Sequence, residues 1–157
     1  MSLEHSTAGI SVSFAEEQTA GTRPTAASAY TKLENIYSIG DMNPEPSSYD
    51  VTDLGDTVYK RYIAALKDLG GAIPLSAHLN ETFINTWNSH CQSAATARAA
   101  GKKTWYCIQV PGYTNAFYVA GMPSEMGFPS VDTDAVFEGD VYIAPEEVVG
   151  WAAKPTE

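Results

Sequence analysis

Nucleophilic, acid-base or metal chemistry in this chain would have to come from three histidines, two cysteines and a few paired carboxylates, and their spacing supports little of it. His5, His78 and His90 stand in separate segments, and His90 and Cys91 are sequence neighbours that point in different directions on a helix. No metal-ligand pattern results, and no cofactor is implied. No Gly-x-Ser-x-Gly elbow exists, and neither Cys91 nor Cys107 has a local context that would lower a thiol pKa. Gly70-Gly71 lacks the third glycine, the lysine and the following helix of a phosphate cradle. The paired carboxylates remain. Asp132 with Asp134, and Glu138 with Asp140, are each spaced to share one strand face, as acid-base pairs of glycoside hydrolysis can be. Any acidic protein with half-exposed strands produces such pairs, and the lack of basic residues nearby favours a solvated or pore-lining surface over a catalytic one. The chain therefore reads as non-enzymatic.

The elements that must carry these residues are mostly strands. Ile10, Val12 and Phe14 alternate with Ser11 and Ser13 and predict a first strand after a loose N-terminal tip. Residues 16–28 turn to Thr, Ala, Gly and Pro without periodicity, which predicts an extended arm ordered only by contacts. One strand is expected over 30–39, and Gly40, Asp41, Pro44 and Pro46 end it. Tyr49 and Val51, the turn Asp53-Leu54-Gly55-Asp56, and the alternation of Val58, Lys60 and Tyr62 predict a hairpin. Ile73, Leu75, Ala77 and Leu79 form another strand, whose Pro74 argues for a sheet edge or a bulge. Asn80 as N-cap, Glu81 in the first turn, apolar residues Phe83, Trp87, Cys91, Ala94 and Ala95 at helical spacing, and a stop at Gly101 predict one helix near 81–100. Trp105 to Val110 and Phe117 to Gly121 look like an antiparallel pair. A last strand system is expected over 132–144, with a bulge at Gly139-Asp140. The fold class is mainly β: an antiparallel sandwich or barrel flanked by one α-helix. The organisation read from this is an N-terminal strand and arm over 1–29, a β domain over 30–150 and a C-terminal tail over 151–157.

Composition narrows the functions. The 157 residues carry 19 acidic and 9 basic side chains, a net charge of −10, which repels the phosphate backbone and disfavours nucleic-acid binding. No Lys or Arg lies between Lys103 and Lys154, an interval that holds Glu125, Asp132, Asp134, Glu138, Asp140, Glu146 and Glu147 and so predicts one acidic face. No apolar run approaches the roughly 20 residues that span a bilayer, and MSLEHSTAGIS does not resemble a signal peptide, so no membrane contact and a cytoplasmic origin are expected. The two cysteines read as buried reduced thiols. The first six residues read as partly a cloning remnant.

An ordered set of segments then adds a resemblance. AGISVSF, GTRP, YTKLENIYSIGDMNPEP, DVTDLGDTVYKRYIAALKDLGG, the helix, GKKTWYCIQVPG, FYVAGMPSEMG and DAVFEGDVYIAP follow one another from about Ala8 to Gly150. In that order they resemble the tail-tube proteins, or major tail proteins, of long-tailed bacteriophages and prophages. Tyr62-Ile63-Ala64-Ala65-Leu66 departs from the family, where Ile-Pro-Gly-Leu is common, and predicts a blunter corner before Lys67-Asp68-Leu69-Gly70. The resemblance implies homohexameric rings that stack into a tube in the virion tail, assembled in the host cytoplasm. It implies contacts with tail-initiation, terminator and tape-measure proteins, and DNA that passes through without specific binding. It also suggests roles for residues. Asp50, Asp53, Leu54, Asp56, Tyr59 and Arg61 of the hairpin, with the N-terminal arm, are candidates for ring stacking, and Asp132, Asp134, Glu138 and Asp140 are candidates for the acidic lumen. The rival from another class is a carbohydrate-binding β-sandwich, which would use aromatics among Tyr59, Tyr62, Trp105, Tyr106, Tyr113, Phe117 and Tyr118 as its platform.

Overall fold

The computed structural model describes residues 6, 8–43, 45–66 and 71–157, so His5, Pro44 and the Lys67-Asp68-Leu69-Gly70 corner lie outside the described residues. Among the described residues, nine strands and one α-helix follow in the order β1 (Ser11–Glu16), β2 (Thr31–Lys32), β3 (Ile36–Ile39), β4 (Ser48–Asp50), β5 (Tyr62–Ala64), β6 (Ile73–His78), α1 (Glu81–Ala99), β7 (Thr104–Gln109), β8 (Asn115–Pro123) and β9 (Glu138–Ala153), with a 3-10 turn at Ala27–Ala29; seven strands make the main sheet, and β4 with β5 forms a separate ribbon.

The seven strands pair antiparallel in the order β2-β1-β7-β8-β9-β6-β3, and the sheet curls into a half-barrel. Its two edges, β2 and β3, are separated by only residues 33–35, because the expected single strand over 30–39 changes partner midway. Leu33 N–H still donates to Val12 on the β1 side, whereas Asn35 takes φ 65° and its carbonyl accepts from His78 on the β6 side. A left-handed turn at a single asparagine is a low-cost way to make that switch.

Alternation decides what each face buries. Val12, Phe14, Tyr106, Ile108, Val119, Val141, Ile143, Ile73, Leu75 and Ala77 project to one side, where α1 packs Phe83, Trp87 and Cys91 against them. Asn80 caps α1 as expected, its side chain accepting from Phe83 N–H at 2.8 Å. Trp87, fully buried, also donates its indole N–H to the Ser124 carbonyl at 2.9 Å. The opposite face buries Trp105, Cys107, Ala116, Tyr118 and Ala120. The segment expected to be a contact-ordered arm folds back over that face: Tyr30 packs there, Arg23 lies 4.1 Å above the Tyr118 ring, and Ala27 and Thr25 exchange backbone hydrogen bonds with Thr156. Both cysteines are buried and unpaired with each other.

Three local expectations change. β6 is an interior strand, with β9 on one flank and β3 on the other, so Pro74 is not at an edge. Its carbonyl faces β3 and accepts from Gly40 N–H at 2.8 Å, and the missing N–H faces the same way, just beyond the end of β3, so the ladder to β9 loses nothing. Gly40 is needed there because a Cβ would sit 2.5 Å from the Pro74 ring. The last strand begins at Glu138, not Asp132, and runs through to Ala153, so Trp151–Ala153 belong to the sheet. Its register is regular at Gly139-Asp140; the shifts occur opposite β8, between Tyr118 and Val119 and between Ala120 and Gly121.

Candidate functional site

Two exposed features stand out from this scaffold: the ribbon of β4 and β5, and the outward face of β3, β6 and β9. In the ribbon, Ser48, Tyr49 and Asp50 pair with Ala64, Ile63 and Tyr62, and among the described residues these strands pair only with each other. The strands are shorter than their alternation suggested, and residues 51–61 form a long connection. Its geometry is set by acceptors that turn back on the chain. Asp53 Oδ1 accepts from Gly55 N–H at 2.7 Å and Asp56 Oδ2 from Asp53 N–H at 3.0 Å. Arg61 then spans both carboxylates, 2.8 Å from Asp53 and 2.7 Å from Asp56. The hydrogen bond from the Asp53 backbone, and after it the Arg61 guanidinium, hold the Asp56 carboxyl below its usual range. Asp50 is likewise lowered, by the Thr52 hydroxyl and then the Thr52 N–H.

Apolar side chains surround this polar tip. Leu54 is fully exposed, Tyr59 is 81 % exposed, and Tyr49, Val58, Tyr62, Ile63 and Leu66 are also open to solvent. A polar turn that locks its own backbone leaves these side chains as the ribbon's free surface. Of the six stacking candidates, Asp53, Asp56 and Arg61 are brought into one network, Leu54 sits in the turn it shapes, and Asp50 and Tyr59 flank it.

The second feature follows from strand alternation. Because Ile73, Leu75 and Ala77 point to the core, Ser76 and His78 point out, opposite Asp140 and Glu138 of β9. Ser76 donates to Asp140 at 2.6 Å, His78 Nδ1 is 3.7 Å from Glu138, and the Tyr37 ring lies 4.6 Å from the His78 ring. Loss of water contact and the nearby Glu138 carboxylate push the Tyr37 phenol up. Tyr37, Phe128, Glu138, Asp140 and Tyr142 line an open cleft of about 500 Å³.

The structure therefore groups Glu138 with Asp140 but separates them from Asp132 and Asp134, which lie ahead of β9, Asp134 in a turn with φ 62°. Tyr37, Ser76 and Tyr142 were not singled out as site residues from the sequence, and His78 was weighed there only as a metal ligand; the outward phase of β6 and β9 was a signal for Ser76, His78 and Tyr142. Among the seven aromatics considered as a platform, Trp105, Tyr106 and Tyr118 are buried core, which removes them from any exposed surface. Among the described residues no cluster of three metal-ligating side chains occurs, and no helix is long and apolar enough to cross a membrane. Neither a model of a protein family nor a curated protein matches this chain.

Proposed function

We propose that this chain is a structural subunit of a phage or prophage tail tube, built to associate with copies of itself into hexameric rings that stack around a DNA conduit. The observation that carries the reading is the β4–β5 ribbon, which displays Leu54, Val58, Tyr59 and Tyr62 to solvent while its own polar groups are satisfied within the tip. Exposed apolar side chains grouped on one projecting element suit a designated protein partner. The carboxylates of Glu138 and Asp140 on the outward face of β9, in a chain of net charge −10, suit a wall past which DNA slides without sticking. In this reading the protein has no catalytic role and no cofactor. Its partners are its own copies and the tail-initiation, terminator and tape-measure proteins, and its place is the virion tail.

Electron microscopy and sedimentation of concentrated protein, with and without tail-initiation partners, test this. Rings or tubes are the expected result. A chain that stays monomeric under every condition, initiators included, overturns the reading.

The cleft gives a specific basis for a second reading, a carbohydrate-binding module, because Tyr37, Phe128 and Tyr142 stand beside Glu138 and Asp140. That reading expects a monomer with saturable binding to an oligosaccharide array, lost in Tyr142→Ala.

A further inference from the structure

The cleft of about 500 Å³ beside β9 joins two walls of opposite chemistry. One wall is anionic. Asp140 accepts from the Ser76 hydroxyl at 2.6 Å, and Glu138 has His78 Nδ1 at 3.7 Å, too long for a hydrogen bond. Among the described residues no Lys or Arg pairs with either carboxylate, since the ion pairs of Arg61, Arg98 and Lys103 all lie elsewhere.

The other wall is apolar and aromatic. The segment after β8 brings Met126, Phe128 and Pro129 to the cleft, and Tyr37 and Tyr142 border it. Phe128 is 81 % exposed. Gly139, which separates the two carboxylates in the chain, is where this wall closes on the strand: a Cβ there would lie 3.2 Å from both Leu79 Cδ1 and Pro129 Cβ.

These walls select a ligand by what they lack. The donors nearest the carboxylates are already engaged, Ser76 with Asp140 and the Tyr37 hydroxyl with Glu138. What is offered is acceptors and negative charge, which suit a ligand that brings its own donors and a positive charge. Two carboxylates are too few for calcium or magnesium, and no third metal-ligating side chain joins them among the described residues. An ammonium group fits: it carries three donors, and carboxylates on alternate residues of a strand, about 7 Å apart at their backbones, can both reach it. Aromatic faces attract the same charge, and the apolar wall receives an alkyl chain.

We propose that this cleft binds a small aliphatic amine in its ammonium form, the nitrogen bridging Glu138 and Asp140 and the alkyl chain lying against Met126, Phe128 and Tyr142. The site is complete within one chain, so it goes beyond the tail-tube reading and does not depend on it.

Titration of dilute protein with butylammonium, followed by 1H–15N NMR, tests this, with butanol and maltotriose as neutral probes. Butylammonium should give saturable shifts centred on Tyr37, Gly139 and Tyr142, whereas butanol, which has the same shape without the charge, should give none. Glu138→Gln with Asp140→Asn changes exposed side chains, so the spectrum elsewhere should be retained while affinity falls by about tenfold or more. Shifts that rise without saturating, equal shifts with butanol, or undiminished binding in the double variant overturn the proposal. Saturable binding of maltotriose with none of butylammonium also overturns it, in favour of the carbohydrate reading. The titration reads a single chain, so either result leaves the tail-tube reading to sedimentation.

Discussion

Glu17 shows how much one side chain can organise. It sits in a segment without periodicity, yet it is 3 % exposed and accepts three hydrogen bonds: Oε1 from Gly21 N–H at 3.1 Å and Lys103 N–H at 2.8 Å, and Oε2 from the Trp105 indole at 3.0 Å. Burial pushes its carboxyl up, but these donors, led by Lys103 N–H, together outweigh burial and hold it below the usual range. Its contribution to stability is therefore present above the ordinary carboxylate value and is lost as pH falls through the lowered one. Glu17→Ala strands three donors and should cost about 3 kcal/mol in urea unfolding at pH 7. The gap to wild type should narrow in acid, where the wild-type carboxyl is itself protonated. A gap of the same size at pH 3 would show that the charge is not what holds the turn.

At the scale of elements, the β4–β5 ribbon and α1 are held by opposite means. α1 has little use without the sheet: its capped start and its stripe of Phe83, Trp87 and Cys91 are stabilised by burial. The ribbon buries little and is held by backbone pairing and by the Asp53–Arg61–Asp56 network at its tip. Substitutions of its exposed apolar side chains should therefore leave monomer stability within about 0.5 kcal/mol of wild type. In the tail-tube reading, Leu54→Asp with Tyr59→Asp should nevertheless abolish concentration-dependent association in sedimentation velocity. Association at wild-type strength in that variant would remove the ribbon from the assembly contact.

For the whole molecule, charge placement is the quantity to test. Glu138 and Asp140 share an outward strand face, whereas Asp132 and Asp134 stand ahead of that strand. Replacing Asp132, Asp134 and Glu138 by Lys changes exposed side chains and should leave the fold intact, with a small loss of stability at Asp134, whose φ of 62° suits Asp better than Lys. If the β9 face lines a DNA conduit, particles built from this variant should eject DNA more slowly, because lysines hold phosphates that carboxylates repel. Ejection at the wild-type rate would take these carboxylates out of the lumen.

Properties that repeat at short range were legible in the order of the amino acids alone. Alternation marked the inward residues of β1 and β6, helical spacing with Asn80 marked α1, and the cation-free interval from residue 104 to 153 marked an acidic stretch. These follow from backbone periods of two and 3.6 residues and from the cost of burying charge. Tertiary structure decided what depends on residues distant in the chain. Pro74 is tolerated inside the sheet because β3 stops short of it, the strand over 30–39 divides because Asn35 redirects it from β1 to β6, and β9 extends to Ala153 because β8 offers a partner that far. Glu17 meets Trp105, and Glu16 meets His90, across dozens of intervening residues. No local pattern encodes such pairs, since they arise only when the curled sheet brings separate strands and the helix together.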